Sequence, residues 1–304
     1  MKKFKRIAII AAIVCITLGA LSAMLVMINV GFDLVKLNNM TFERNTYEIE
    51  QNFENIRIVD TECDILLRPS PDGICRLVCS ENEKIFTSIA HQDNTLQITR
   101  TDIRKWYEHI GLFLWEDSDV ILYLPHEQYK NIYLSTQSGN IEVPECFTFD
   151  YAELNSVSGD ISFESGTDGG ILAESTSGDI TLKNATNGRI AVTAVSGNIL
   201  MENMSVDTIS ATATSGEIYM RSVISKNAAT LTTVSGNIEL LKCDAESYVL
   251  HSTSGNILAT LLSPKKFDTK SVSGKVHHSP SIFSGGSCVA ETVSGNIRIT
   301  LSTQ

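Results

Sequence analysis

A chain of 304 residues, 43% hydrophobic and 19% charged, holds enough apolar material for one large domain and an anchor. All 35 acidic residues lie beyond residue 30, against 20 basic ones there, so this part carries about −15 of a chain whose net charge is −11. Such a surface repels nucleic acid and anionic lipid, which argues against both as partners.

Residues 1–6 carry Lys2, Lys3, Lys5 and Arg6, and 7–30 carry no charge at all. At 1.5 Å per residue, about 20 apolar residues cross a bilayer core, so 7–30 is expected to be a transmembrane signal anchor. A cleaved signal peptide would place a small residue, Ala20 or Ala23, at the cut. The apolar run continues through Met24–Ile28, longer than a signal core needs. Val14 before Cys15 argues against a lipoprotein site. Basic residues precede the span and none follows before Lys36, so 1–6 is expected in the cytoplasm and the rest outside, as a single-pass cell-membrane protein.

Residues 31–52 read as a juxtamembrane connector and 53–131 as an irregular N-terminal β region that caps the lower end of a stack of repeats. Ile56 and Ile58 alternate as in a strand, Cys63-Asp64-Ile65-Leu66 looks like a degenerate repeat, and Pro69–Gly73 marks a turn. The stretch from Asp102 to Asp119 breaks the pattern and holds Trp106, Tyr107, His109, Phe113 and Trp115. These aromatics either plug the end of the core or form an exposed loop that touches a glycan, protein or membrane surface.

Residues 132–304 are built on one phrase. Ser138-Gly139-Asn140-Ile141 recurs with corner serines at 158, 177, 196, 215, 235, 254, 273 and 294, spaced 19 to 21 residues apart. Apolar columns stand six and four residues before each serine and three and five after it; the first holds Ile132, Ile171, Ile190 and Ile209. Columns two residues apart describe short strands with alternate side chains inward, and a unit this small buries its apolar side only by stacking. The spacing predicts an all-β fold: a single-stranded parallel β-helix, or β-solenoid, of about nine coils. At the inter-strand spacing of about 4.8 Å it forms a rod roughly 40 Å long. Gly suits a corner with positive φ, and Asn or Asp bonds its own turn. The chain stops a few residues past the last strand, so the upper edge is expected at the C-terminus and open to pairing.

This Ser-Gly-Asp-Ile pattern resembles the bacterial putative-adhesin family of cell-envelope β-solenoid domains, a domain of unknown function, over about Phe53 to Leu301. The resemblance implies a repeat fold and a surface role.

Chemistry is sparse. Asp160 and Asp179 occupy equivalent corners of adjacent coils, where a shared cation is conceivable, but the column also holds Asn, Glu and Lys, as a turn position does. Coils of nearly constant length leave no substrate groove, so no catalytic residue, metal or cofactor is assigned. Glu164, Lys183, Glu202 and Arg221 alternate in sign on successive coils as a surface ladder. Val157, Thr176, Val195, Thr214 and Val234, continuing through Thr253, Val272 and Val293, form an outward β-branched strip. Strand propensity accounts for such a strip, and so does a lateral contact surface. Cys146, Cys243 and Cys288 read as core thiols, while Cys63 lies within reach of Cys75 or Cys79. The expected function is a non-catalytic, membrane-anchored extracytoplasmic solenoid that binds a protein or glycan at the cell surface or serves the envelope structurally. The alternatives are an accessory to envelope-stress signalling and, less in keeping with the coils, a polysaccharide-active enzyme.

Overall fold

The computed structural model describes residues 2–29, 42–50, 52–105, 119–281 and 286–302. A helix spans Lys2–Asn29, and its Ala12–Asn29 stretch, mean hydropathy 2.2, is long and apolar enough to cross a membrane. Beyond it, the described residues form strands joined by turns and bends.

Two columns of isoleucines define the solenoid. Before the corner, in-register parallel pairs run Ile132, Ala152, Ile171, Ile190, Ile209, Ala229 and Tyr248. After it they run Ile141, Ile161, Ile180, Ile199, Ile218, Ile238 and Ile257. All of these side chains are buried. Each buried isoleucine contributes about 1.5–3 kcal/mol, and neighbours share the gain only when stacked in register. A one-residue slip in any coil would turn its whole column outward. At the lower end the interior is aromatic: Phe53, Tyr129, Phe149 and Phe163 follow one another at ring-centroid distances of 5.7, 6.2 and 5.8 Å.

Neither end of the stack is the end of the chain. The strands Asn55–Val59 and Asp64–Pro69 pair upward with Gln128–Thr136 and Ile141–Val143, and downward with Thr95–Asp102 and Asp119–Leu124. The lowest layer therefore comes from later sequence than the layer above it. Antiparallel strands then close it: Ile85–Gln92 lies on Thr95–Asp102, and Glu43–Ile49 lies on Cys75–Glu81, which lies on Asp119–Leu124. Buried Glu81 fastens this seal by accepting bonds from the Asn45 amide, the Tyr47 hydroxyl and the Thr87 backbone N–H.

The upper end corrects the expectation of an open C-terminal edge. Ser287–Ser294 and Ile297–Leu301 sit between the Ser254 coil and the Ser273 coil, pairing with both. The true edge is Lys266–Ser271 with Val276–His278. Its inward columns are poor in apolar residues, with Thr269 and His278 where the other coils carry apolar side chains, and Val276 is exposed. A terminal coil covers the core on one side only, and its sequence is correspondingly polar.

Candidate interaction surface

Each corner is built by three ladders that run up the stack. A Cβ added to Gly159, Gly178, Gly197, Gly216, Gly236 or Gly255 would sit 1.8–2.0 Å from the carbonyl oxygen of the corner glycine below. None of these glycines has a positive φ. The expectation that glycine serves the corner through positive φ is thus corrected: close backbone approach excludes a side chain. Beside the glycines, hydroxyls at Ser156 and Thr233 donate to the glycine carbonyl of the coil below, at 3.3 and 3.0 Å. Ser156 and Ser175 also accept the N–H of their own corner glycine.

The Asn/Asp column forms the third ladder. Asn140 N–H donates to Asp64 Oδ1 (2.7 Å), Asp160 N–H to Asn140 Oδ1 (2.8 Å), Asp179 N–H to Asp160 Oδ1 (2.8 Å) and Asn198 N–H to Asp179 Oδ1 (2.7 Å). These side chains bond the next coil, which corrects the expectation that each bonds its own turn. The ladder ends where Lys275 N–H donates to Asn296 Oδ1. The end coil has nothing above it to receive, so a lysine suffices there. Asp160 and Asp179 each have one carboxylate oxygen committed to this ladder, and no cluster of three His, Cys, Asp or Glu able to hold a metal exists among the described residues.

Of the charge ladder, the structure pairs Lys183 with Glu164 at 2.6 Å and Arg221 with Glu202 at 3.5 Å. Exposed pairs of this kind contribute about 0–1 kcal/mol. Cys243 and Cys288 are buried, and burial pushes their thiols up to about 11 and about 12. Cys146 is exposed, which corrects its reading as a core thiol; the chain turns outward there, two residues after Pro144. Cys63, Cys75 and Cys79 are all buried.

A buried polar group escaped the sequence reading. Lys265 Nζ lies 2.8 Å from Asp244 Oδ1 and 2.8 Å from Ser263 Oγ, and its side chain is 6% exposed. The nearby Tyr248 hydroxyl is buried without a hydrogen-bond partner among the described residues, and its pKa is raised, chiefly by burial. No repeat column contains Lys265, so periodicity gave no signal for it.

Trp106, Tyr107, Phe113 and Trp115 lie outside the described residues. The other predicted surface residues come together. Val157, Thr176, Val195, Thr214 and Val234 are all exposed, the valines at 43–48%, each at the bend just past the strand that precedes the corner. The strip is wider than the single column read from the sequence. Strand alternation places the residues three and five before each serine on the same outward side. Thr193, Thr212 and Thr232 stand there in register, flanked by Ala191, Ser210 and Thr230. From the Ser196 coil to the Ser254 coil, His251 is the sole ionisable group in these columns, its Nδ1 4.0 Å from Glu291 Oε2. Charged side chains stand elsewhere on these coils, among them Arg189, Glu202, Asp207, Arg221, Lys226 and Glu239.

Coils of nearly constant length, locked by three corner ladders and sealed by antiparallel strands at the lower end, define a β-solenoid with an exposed Val/Thr strip along one side. A family model described as Toastrack DUF4097 matches residues 53–242 and 187–304. The chain belongs to this family, a domain of unknown function. Among solved structures it is similar to a putative adhesin from Bacteroides fragilis, at 15% identity and a TM-score of 0.40, covering 87% of this chain and 98% of that one. It is also similar to a putative adhesin from Parabacteroides merdae, at 13% identity and a TM-score of 0.41, covering 88% and 98%. A putative lipid binding protein from Parabacteroides distasonis is similar at 16% identity and a TM-score of 0.41, covering 86% and 97%. No curated protein matches the sequence.

Proposed function

We propose that the protein is a membrane-anchored, extracytoplasmic binding module without catalytic activity, which meets its partner through the Val/Thr side of the solenoid. The observation that carries this reading is the exposed Val/Thr strip itself, whose outward columns from the Ser196 to the Ser254 coil hold His251 as their sole ionisable group, on a chain otherwise dense with charge. Exposed apolar surface of this regularity marks a contact site on a soluble domain. The apolar helix after Lys2, Lys3, Lys5 and Arg6 supports an anchor with the solenoid outside. The corner carboxylates support a structural rather than chemical role, because Asp160 and Asp179 each accept a backbone N–H from the next coil.

Exposed Cys146 supplies the test of topology. A membrane-impermeant maleimide at pH 8 is expected to label it on intact cells, and Cys146→Ser to abolish that labelling. Labelling only after lysis would overturn the outward placement. For binding, the detergent-solubilised chain is expected to co-sediment with isolated envelopes from its own cells. Val195→Glu with Thr214→Glu is expected to reduce that retention at least fivefold. Equal retention of the variant would remove the Val/Thr side from the function.

A further inference from the structure

We infer that the upper edge of the stack, Lys266–Ser271, takes up an extended acidic segment of a partner protein as an added β-strand. The site lies apart from the Val/Thr side and does not rest on the binding role proposed there.

The backbone comes first. Lys266–Ser271 pairs with Ser287–Ser294 below it, and no described strand pairs with it from above. Lys266 N–H donates downward to the Gly286 carbonyl at 2.8 Å, and Val272 N–H to the Thr292 carbonyl at 3.2 Å. Alternation then turns the N–H and C=O groups of Phe267, Thr269 and Ser271 upward, away from the stack. The Ser281 hydroxyl meets the Phe267 N–H at 3.1 Å, and Thr269 and Ser271 present theirs to whatever lies above. Such a row is the template that β-strand addition uses.

Charge comes second, and it sets this end apart from the rest of the rod. Residues 263–304 hold Lys265, Lys266, Lys270, Lys275 and Arg298 against Asp268 and Glu291. The other 33 acidic residues lie in 31–262, with 15 basic ones. Lys265 is turned inward to Asp244, whereas Lys266, Lys270 and Lys275 are exposed. Lysine on an edge strand commonly keeps stray chains off. On a rod that carries about −15 beyond residue 30, acids would serve that end better, because lysines draw acidic copies in. Three exposed lysines along an open edge therefore select an acidic strand.

Side chains come third. Phe267, Thr269 and Ser271 are half-buried with no coil over them, and Val276 is exposed on the adjoining strand. A strand added in register would set alternate side chains over this uncovered end of the core. The intervening ones would turn outward beside Lys266 and Lys270. The segment that fits alternates apolar residues with acids.

The experiment uses the detergent-solubilised full chain and a fluorescein-labelled peptide, Val-Glu-Val-Glu-Val-Glu-Val, read by fluorescence anisotropy. This peptide is expected to bind at least tenfold more tightly than its counterpart with Lys for Glu. In the added strand the Glu amides would face the edge, as the Lys266 N–H faces the strand below it. N-methylation of the Glu amides should abolish binding, and N-methylation of the Val amides should leave it. Lys266→Gln with Lys270→Gln should weaken binding at least fivefold with the melting temperature unchanged. Thr269→Pro removes an upward N–H and no bond of the existing ladder, and should weaken it at least as much. Val195→Glu with Thr214→Glu should bind the peptide as the parent does. No binding, or equal binding of the acidic and basic peptides, would overturn the inference. Binding that ignores N-methylation and is displaced by polyphosphate would identify a patch for anionic polymers and overturn the added strand. A dimer of the free chain that the peptide dissolves would make a second copy the occupant and overturn the partner named here.

Discussion

At the Ser-Gly corner the backbone keeps negative φ, and the strain there is one of space: a glycine carbonyl from the coil below occupies the place of a Cβ. At the corner seven residues after the serine the strain is one of conformation. Asn184, Asn203, Ser222 and Lys242 all hold φ between 54° and 64°, in the left-handed region. The first corner admits one residue type, and so every coil repeats it. The second admits any side chain at a modest cost, and so its sequence drifts among Asn, Ser and Lys. A repeat is legible in sequence where the neighbouring coil forbids substitution, and fades where only local backbone energy is at stake.

The largest effect should come from breaking the spatial corner. In Gly197→Ala the new methyl would lie 1.9 Å from the Gly178 carbonyl oxygen, and backbone cannot swing aside as a side chain end does. A loss of more than about 3 kcal/mol is expected in denaturant unfolding. A loss below about 1 kcal/mol would mean that the coils separate easily, against the close-approach account.

The seal at the lower end gives the next effect and a pH signature. Burial alone would push the Glu81 carboxyl up, but the bonds from Asn45, Tyr47 and Thr87 outweigh it and hold the pKa below the usual carboxylate value. A lowered folded pKa contributes stability that is full above the unfolded value of about 4.3 and is lost as pH falls below it. Glu81→Gln should cost about 1–3 kcal/mol at pH 7 and flatten the acid limb of the stability profile. An unchanged acid limb would show that another group governs it.

How much was legible follows the same division. The isoleucine columns, the coil length and the outward strip from Val157 to Val234 were all readable, because strand alternation and stacking both fix them. The order of layers was not. Every Ser-Gly phrase looks alike locally, and nothing in the period says that the Ser294 coil slips beneath the Ser273 coil. The signal was chemical instead: Thr269, Lys275 and His278 stand where a buried, doubly covered coil would need apolar residues and a ladder acceptor. The widening of the strip to Thr193, Thr212 and Thr232 was available from alternation, but a single column taken alone does not show it.

The conformational corner should yield a gain where the spatial corner yields a loss. Lys242 holds φ of 55° with a long side chain that is exposed and free to be removed. Lys242→Gly relieves the left-handed strain while loosening the unfolded chain, and a net stabilisation of about 0.5–1 kcal/mol is expected. The same change at Ser222, φ 54°, should behave alike. Destabilisation at both sites would mean that the side chains there do more than tolerate the turn.

The smallest effect belongs to the residues that looked most like chemistry. Asp160 and Asp179 each offer Oδ1 to the N–H of the next coil, at 2.8 and 2.7 Å. Asparagine offers the same oxygen, and Asn198 uses it toward Glu217 at 3.0 Å. The double change Asp160→Asn, Asp179→Asn therefore keeps the ladder and removes two exposed charges from an acidic rod. Its stability should differ from the parent by less than about 0.5 kcal/mol, and adding millimolar calcium should move the melting temperature of neither protein. A calcium-dependent rise in the parent that vanishes in the double variant would restore the corner to a cation site. Asp179→Leu is the sharper companion, since it leaves the Asn198 N–H without its acceptor and should cost about 1–2 kcal/mol. Near-neutral Asn and costly Leu together would assign the column to backbone bonding between coils, and equal effects of the two would break that assignment.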